Sequence, residues 1–188
     1  VARRATSLEQ YRGGGWGSAT GRSSVGSRTT TRKILGIDPG SRYTGYGIIL
    51  SSGGKHSLVT AGRIDTCKGT AGEKLCRIYQ GLKALIAEHA PDEFALEETF
   101  VNRANPQSAL VLGQARGVAL LAAAESGCAV AEYATASVKL AVAGYGRADK
   151  LAIAHMVGLL LKTKQVLEPD AADALAVALC QAHSQPHG

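Results

Sequence analysis

The sequence predicts an α/β domain: one mixed, five-stranded sheet with helices against its faces. Two observations carry this. From residue 34 onward, three strand-like stretches follow one another, and helical and extended patterns then alternate, an order that suits a mixed sheet. Apolar residues make up 45% of the 188, enough to bury a core in one such domain and little more. No run of about 18 apolar residues occurs, so no membrane span is expected.

The first strand is Ile34-Leu35-Gly36-Ile37, ending on Asp38. Pro39 holds Asp38 extended, and Pro39-Gly40 suits the centre of a type II turn. Thr44 to Leu50 reads as the returning strand and residues 57–64 as a third. From Ala71 to His89, Leu75, Ile78, Leu82, Leu85 and Ile86 keep helical spacing, and Pro91-Asp92 ends the segment. Glu93 to Glu97 is a short strand, 101–106 a polar loop, and Gln107 to Ser126 a long helix that is apolar nearly all round. Such a helix is buried on two sides. Ala129 to Tyr133 is the fifth strand. Ser137 to Ala143 and Ala148 to Leu161 are helical, separated by Gly144-Tyr145-Gly146, and Asp149 reads as a helix-start residue. Pro169 opens a last helix to about His183.

Charge divides the chain. Residues 1–33 hold seven basic side chains against one acid, Glu9, for a net +6, whereas residues 34–188 hold 14 of each and are neutral. The first 31 residues are rich in Gly, Ser, Thr and Arg, with almost no aliphatic side chains, and read as disordered. Three accounts compete for them: a nucleic-acid-binding arm, a transit peptide, or a translated leader ahead of the true start, which is favoured because Val1 is not Met. The expected division is 1–32 as a basic extension and 33–188 as the folded domain. Cys67, Cys76, Cys128 and Cys180 lack metal-type spacing and read as buried thiols of a reducing compartment.

Four acids stand where solvation is poor. Asp38 ends the first strand and Glu97 the fourth. Asp170 and Asp173, three apart, share a face of the last helix. Two have a plainer reading: Asp38 bonding its own turn and Asp170 favoured by the helix dipole; Asp173, on an otherwise Ala/Leu helix, has none so easy. An oxygen-only set selects Mg²⁺ or Mn²⁺, and a pair of such ions clamps an in-line phosphoryl displacement.

Three segments, Ile34–Gly47, Leu112–Ala119 and Asp170–Ala176, together resemble the RuvC family of bacterial Holliday-junction resolvases, the crossover junction endodeoxyribonucleases, over about residues 33–183. The resemblance implies an RNase H-like fold. It implies a cytoplasmic homodimer that resolves four-way DNA junctions by paired nicks, with two Mg²⁺ per site, alongside the branch-migration proteins RuvA and RuvB. The family's catalytic, metal-binding acids match Asp38, Glu97, Asp170 and Asp173. Its base-stacking phenylalanine matches Phe100, and its two functional lysines match Lys139 and Lys150. Arg103 joins them as a loop candidate for phosphate contact. The 101–107 loop is a residue longer than in some members.

Plainer readings stand beside these. Phe100 could cap the core, Arg103 could be an ordinary loop polar, and Lys139 and Lys150 could be solvated helix lysines. Two rival functions are a sugar-kinase or actin-like ATPase, which needs two large lobes and for which there is room for one, and a non-catalytic junction-binding module, against which four intact acids argue. Gly113 and Gly117 permit close helix approach, either to the domain's own sheet or to a partner.

Overall fold

A computed structural model describes residues 30–98 and 106–184. The extension up to residue 29 lies outside the described residues, as do Phe100 and Arg103. The order is β1 (Arg32–Asp38), β2 (Tyr43–Ser52), β3 (Lys55–Asp65), α1 (Ala71–His89), β4 (Glu93–Glu97), α2 (Pro106–Ser126), β5 (Ala129–Tyr133), α3 (Thr135–Ala143), α4 (Lys150–Leu160) and α5 (Pro169–Ser184). The five strands form one sheet in the order β3-β2-β1-β4-β5. β1, β2 and β3 are antiparallel neighbours, while β4 runs parallel to β1 and β5 parallel to β4. This is the mixed sheet that the element order predicts.

Alternation along β1 decides what each face carries. Successive strand side chains point to opposite faces. Leu35 and Ile37 join Ile48, Phe94 and Leu96 under α1 and α2. Ile34 joins Ile49, Ala95 and the buried side of α3, α4 and α5 on the other face. Gly36 and Asp38 share the face of Ile34 by the same period, and so does Glu97 with Ala95.

α5 lies across that face unusually close to the strands. A Cβ at Gly36 would stand 2.1 Å from the Ala174 carbonyl oxygen, and one at Gly45 2.0 Å from that of Asp170. Glycine at these positions lets the helix backbone rest on the sheet. Eleven of the 16 residues of α5 are buried in consequence.

α1 begins with a capping box. Thr70 accepts from the Glu73 amide, and the Glu73 carboxylate accepts from the Thr70 amide at 2.7 Å. Ala90, in the left-handed conformation, closes the helix ahead of Pro91. Asp149 caps α4, as its sequence position implies, accepting from the Ala152 amide at 2.8 Å. β1 also takes in Arg32, which donates to both Glu93 oxygens at 2.9 and 3.1 Å; the strand thus begins one residue before the boundary drawn from composition.

Three expectations change. Gly40 does not adopt the positive φ of a type II turn. It is glycine because a Cβ there would meet the Tyr43 carbonyl oxygen at 2.1 Å. Of the cysteines only Cys180 is buried; Cys67 and Cys128 are half-buried and Cys76 is exposed. Gly113 and Gly117 do not serve contact with the domain's own sheet, since added Cβ atoms would meet nothing within 4 Å. Among the described residues no helix is long and apolar enough to cross a membrane.

Candidate active site

The sheet register brings the first two acids together. Ile37 pairs with Leu96 across the parallel β1–β4 ladder. The next residue on each strand is Asp38 and Glu97, so two carboxylates end neighbouring strands on the same face. Asp38 also lies opposite Gly45 in the β1–β2 ladder. Gly45 is where the Asp170 backbone rests. The first turn of α5 is thereby delivered beside Asp38, and one turn further along it comes Asp173.

A cleft of about 240 Å³ opens at this end of the sheet. Asp38, Glu97 and Asp173 line it with Thr135, Val138 and Lys139 of α3 and Lys150 and Ile153 of α4. Asp170 does not line it. Its carboxylate turns toward Arg63 of β3 at 3.7 Å, and Arg63 also pairs with Glu168 at 3.1 Å. The Arg63 guanidinium lies 4.0 Å from the centre of the Tyr43 ring.

Each acid has a distinct environment. No hydrogen bond from the turn reaches the Asp38 carboxylate, so the reading in which it bonds its own turn fails. Burial, then the charges of Glu97 and Asp173, push its pKa up to about 7; Lys150 opposes this and Asp170 adds to it. Glu97 accepts a short hydrogen bond from the Thr135 hydroxyl at the start of α3. Asp173 accepts from the Lys150 ammonium at 2.7 Å. That contact, above all, holds the Lys150 pKa above its ordinary value.

Among the described residues no three His, Cys, Asp or Glu side chains are arranged to hold a metal ion as they stand. The side-chain contacts explain why: Glu97, Asp173 and Asp170 are each turned to a partner of their own. The donor chemistry nevertheless suits a hard cation. It is all carboxylate oxygen, and ionisation of Asp38 is made costly by burial and the neighbouring acids, a penalty that a bound dication would relieve.

The structure thus brings Asp38, Glu97, Asp173, Lys139 and Lys150 to one cleft, with Asp170 on its edge. Sequence reasoning missed Thr135 and Arg63. A threonine opening a helix reads as a cap, and an arginine on an edge strand reads as surface; only the tertiary contacts distinguish them.

A family model described as crossover junction endodeoxyribonuclease RuvC matches residues 34–181. The RuvC of Halorhodospira halophila is 55% identical over 153 residues, covering 80% of this chain and 90% of that protein. That of Tolumonas auensis is 51% identical over 152 residues, covering 81% and 87%. Among solved structures, Thermus thermophilus RuvC in complex with a Holliday junction substrate superposes with a TM-score of 0.75 at 35% identity, over 81% of this chain and 93% of that one. The yeast mitochondrial Holliday junction resolvase shares the fold, with a TM-score of 0.61 at 11% identity. With its RNase H-like sheet and its acids gathered at the ends of β1, β4 and α5, this chain belongs to the RuvC family of crossover junction endodeoxyribonucleases.

Proposed function

We propose that the protein is a Mg²⁺-dependent, dimeric endonuclease that resolves four-way DNA junctions in recombination and repair. The observation that carries this is the meeting of strand-borne and helix-borne carboxylates in a cleft that Lys139 and Lys150 also line. A non-catalytic junction-binding module would have no use for so costly a concentration of acids.

Asp38, Glu97, Asp170 and Asp173 are the residues that would hold the metal. Bound Mg²⁺ would supply activation of a water nucleophile and charge stabilisation at the leaving 3′-oxygen. The chain's own side chains do the rest. Thr135 fixes the Glu97 carboxylate from the α3 side. Arg63 pairs with Asp170 at 3.7 Å, a contact that Asp170 would give up on turning to a metal. Lys139 and Lys150 orient the substrate strand by its phosphates. Lys150 exchanges Asp173 for a phosphate when the site fills, since both are anionic acceptors for the same ammonium.

Carboxylates and lysines of this kind recognise a phosphodiester, not a junction. Selectivity comes from two sites held at a fixed spacing by a two-fold dimer, whose symmetry a four-way junction shares. α2 is the dimer element on this reading. Ala115, Ala119, Ala122 and Ala123 face the core, and Leu110 and Leu121 stand 61% and 52% exposed on the opposite side with Gly113 and Gly117. Leu120, by contrast, is partly buried and packs against the core. Phe100 and Arg103 complete the DNA contacts at the crossover, RuvA and RuvB supply branch migration, and the site of action is the bacterial cytoplasm.

The test is incubation with a synthetic mobile four-way junction, with and without Mg²⁺. Paired, symmetric nicks giving ligatable duplexes only with the metal are expected, with little action on linear DNA. Tight junction binding with no cleavage under any divalent metal would leave the binding-module reading.

A further inference from the structure

We infer that the tip of the α3–α4 loop, Tyr145-Gly146-Arg147, is a subsite for an unstacked nucleotide next to the cleft: Tyr145 takes the base face and Arg147 the adjoining phosphate. This rests on the junction-nuclease reading and adds a contact outside the acids and lysines.

The loop is held rigidly at both ends. Gly144, at φ 82°, closes α3, its amide donating to the Leu140 carbonyl. Ala148 is fully buried, and Asp149 caps α4. Only residues 145–147 project between these anchors. Tyr145 is 54% exposed, and Gly146 and Arg147 are exposed beside it. Among the described residues neither the Tyr145 hydroxyl nor the Arg147 guanidinium has a hydrogen bond or ion pair within the chain. More than half of the Tyr145 ring is left to water, and Arg147, two residues on, is an exposed cation with no acidic partner among the described residues.

The loop's position gives it a role toward substrate. The loop folds back along α3: a Cβ on Gly146 would lie 3.6 Å from the Ala136 carbonyl oxygen. Ala136 follows Thr135, whose hydroxyl holds Glu97. Three residues after Arg147, Lys150 reaches Asp173. The middle of the loop thus lies against the residue after Thr135, and its C-terminal end is three residues from Lys150; Thr135 and Lys150 both line the cleft. On this inference a nucleotide strand with one phosphate at the acids continues past the first turns of α3 and α4 to the loop. Aromatic faces accept any base, but only one freed from its duplex stack. A junction's crossover supplies such bases and a linear duplex does not. A guanidinium beside the ring supplies the phosphate contact that positions the strand.

The experiment measures junction binding by fluorescence anisotropy at several salt concentrations. It adds 2-aminopurine placed singly at the nucleotides flanking the crossover, with cleavage followed in parallel. Tyr145→Ala is expected to weaken binding about 10-fold and to relieve quenching at one 2-aminopurine position. Tyr145→Phe should restore both and Tyr145→Leu neither. Arg147→Gln should lower the slope of log affinity against log salt by about one phosphate contact. Thermal midpoints of these exposed-site variants confirm that they fold. Unchanged affinity and quenching in Tyr145→Ala, or full rescue by Tyr145→Leu, would overturn the inference even with an active wild type. Failure of the wild type to cut junctions would instead remove the function reading itself.

Discussion

The Lys150 ammonium, from α4, lies 2.7 Å from the Asp173 carboxylate of α5, with the Lys150 side chain 80% exposed and the Asp173 side chain 20%. An ion pair with one partner so open to water contributes little to stability, about 0–1 kcal/mol. Its place in the cleft is what matters. Lys150→Met should therefore leave the thermal midpoint almost unmoved while slowing junction cleavage about 10-fold or more, as expected for a lost charge-assisted phosphate contact. In the absence of DNA the same variant should bind Mn²⁺ at least as well as wild type, because a competing cation has left Asp173. A large drop in melting temperature with normal cleavage would show the pair to be structural.

Replacing any one acid should disable chemistry and spare binding. Asp38→Asn, Glu97→Gln, Asp170→Asn and Asp173→Asn are each expected to slow cleavage by more than the 10–100-fold typical of residues that only support a metal ligand. Junction affinity in EDTA should hold or rise, since a negative charge near phosphate is gone. Near-normal cleavage by Asp38→Asn would sink the two-metal mechanism.

The raised pKa of Asp38 has a sign that can be checked without activity. In the unfolded chain an aspartate titrates near 4, whereas burial and the acids around it push Asp38 up to about 7. Between those values the folded, metal-free protein binds the proton more tightly, so its stability is full below pH 4 and falls as pH rises through 7. Asp38→Asn removes this loss. Without divalent metal it should be more stable than wild type at pH 8, by about 2–4 kcal/mol, and no more stable at pH 4. Parallel denaturation curves at the two pH values, with the same difference between the proteins, would disprove it.

Gly45→Ala tests how α5 reaches the site. The new Cβ would stand 2.0 Å from the Asp170 carbonyl oxygen, so the first turn of the helix must move. A loss of about 1–3 kcal/mol is expected, in the range of over-packed cores, together with a cleavage defect larger than that instability explains. Cleavage kinetics well below the melting temperature separate the two. Normal rates at that temperature would mean that Asp170 tolerates displacement.

The proposed dimer surface separates from the core-packed side along α2. Leu110→Asp and Leu121→Asp, on the exposed side, should give folded monomers by light scattering and abolish paired cutting of a supercoiled cruciform plasmid. Leu120→Asp should instead destabilise the fold, because Leu120 packs on the core. A wild-type monomer that makes paired cuts would refute the two-fold mechanism.

Local sequence by itself determined the elements and singled out the candidate acids. The boundaries of α1, β4 and β5 follow from periodicity and from Pro91-Asp92, because helix and strand patterns repeat within a few residues. Asp38, Glu97, Asp170 and Asp173 stood out for the same reason: a carboxylate that ends an apolar strand or interrupts an Ala/Leu helix is a local anomaly. What only the tertiary structure decided is long-range. The register of Ile37 with Leu96, the close seating of Asp170 on Gly45, the hold of Thr135 on Glu97 and of Arg63 on Asp170 each join residues at least 38 apart in the chain. The turn at Gly40 was misread because a tight approach to the Tyr43 carbonyl and a positive φ both demand glycine, and the residue name does not say which. Contacts of that kind depend on where whole elements come to rest, and no short stretch of sequence contains them.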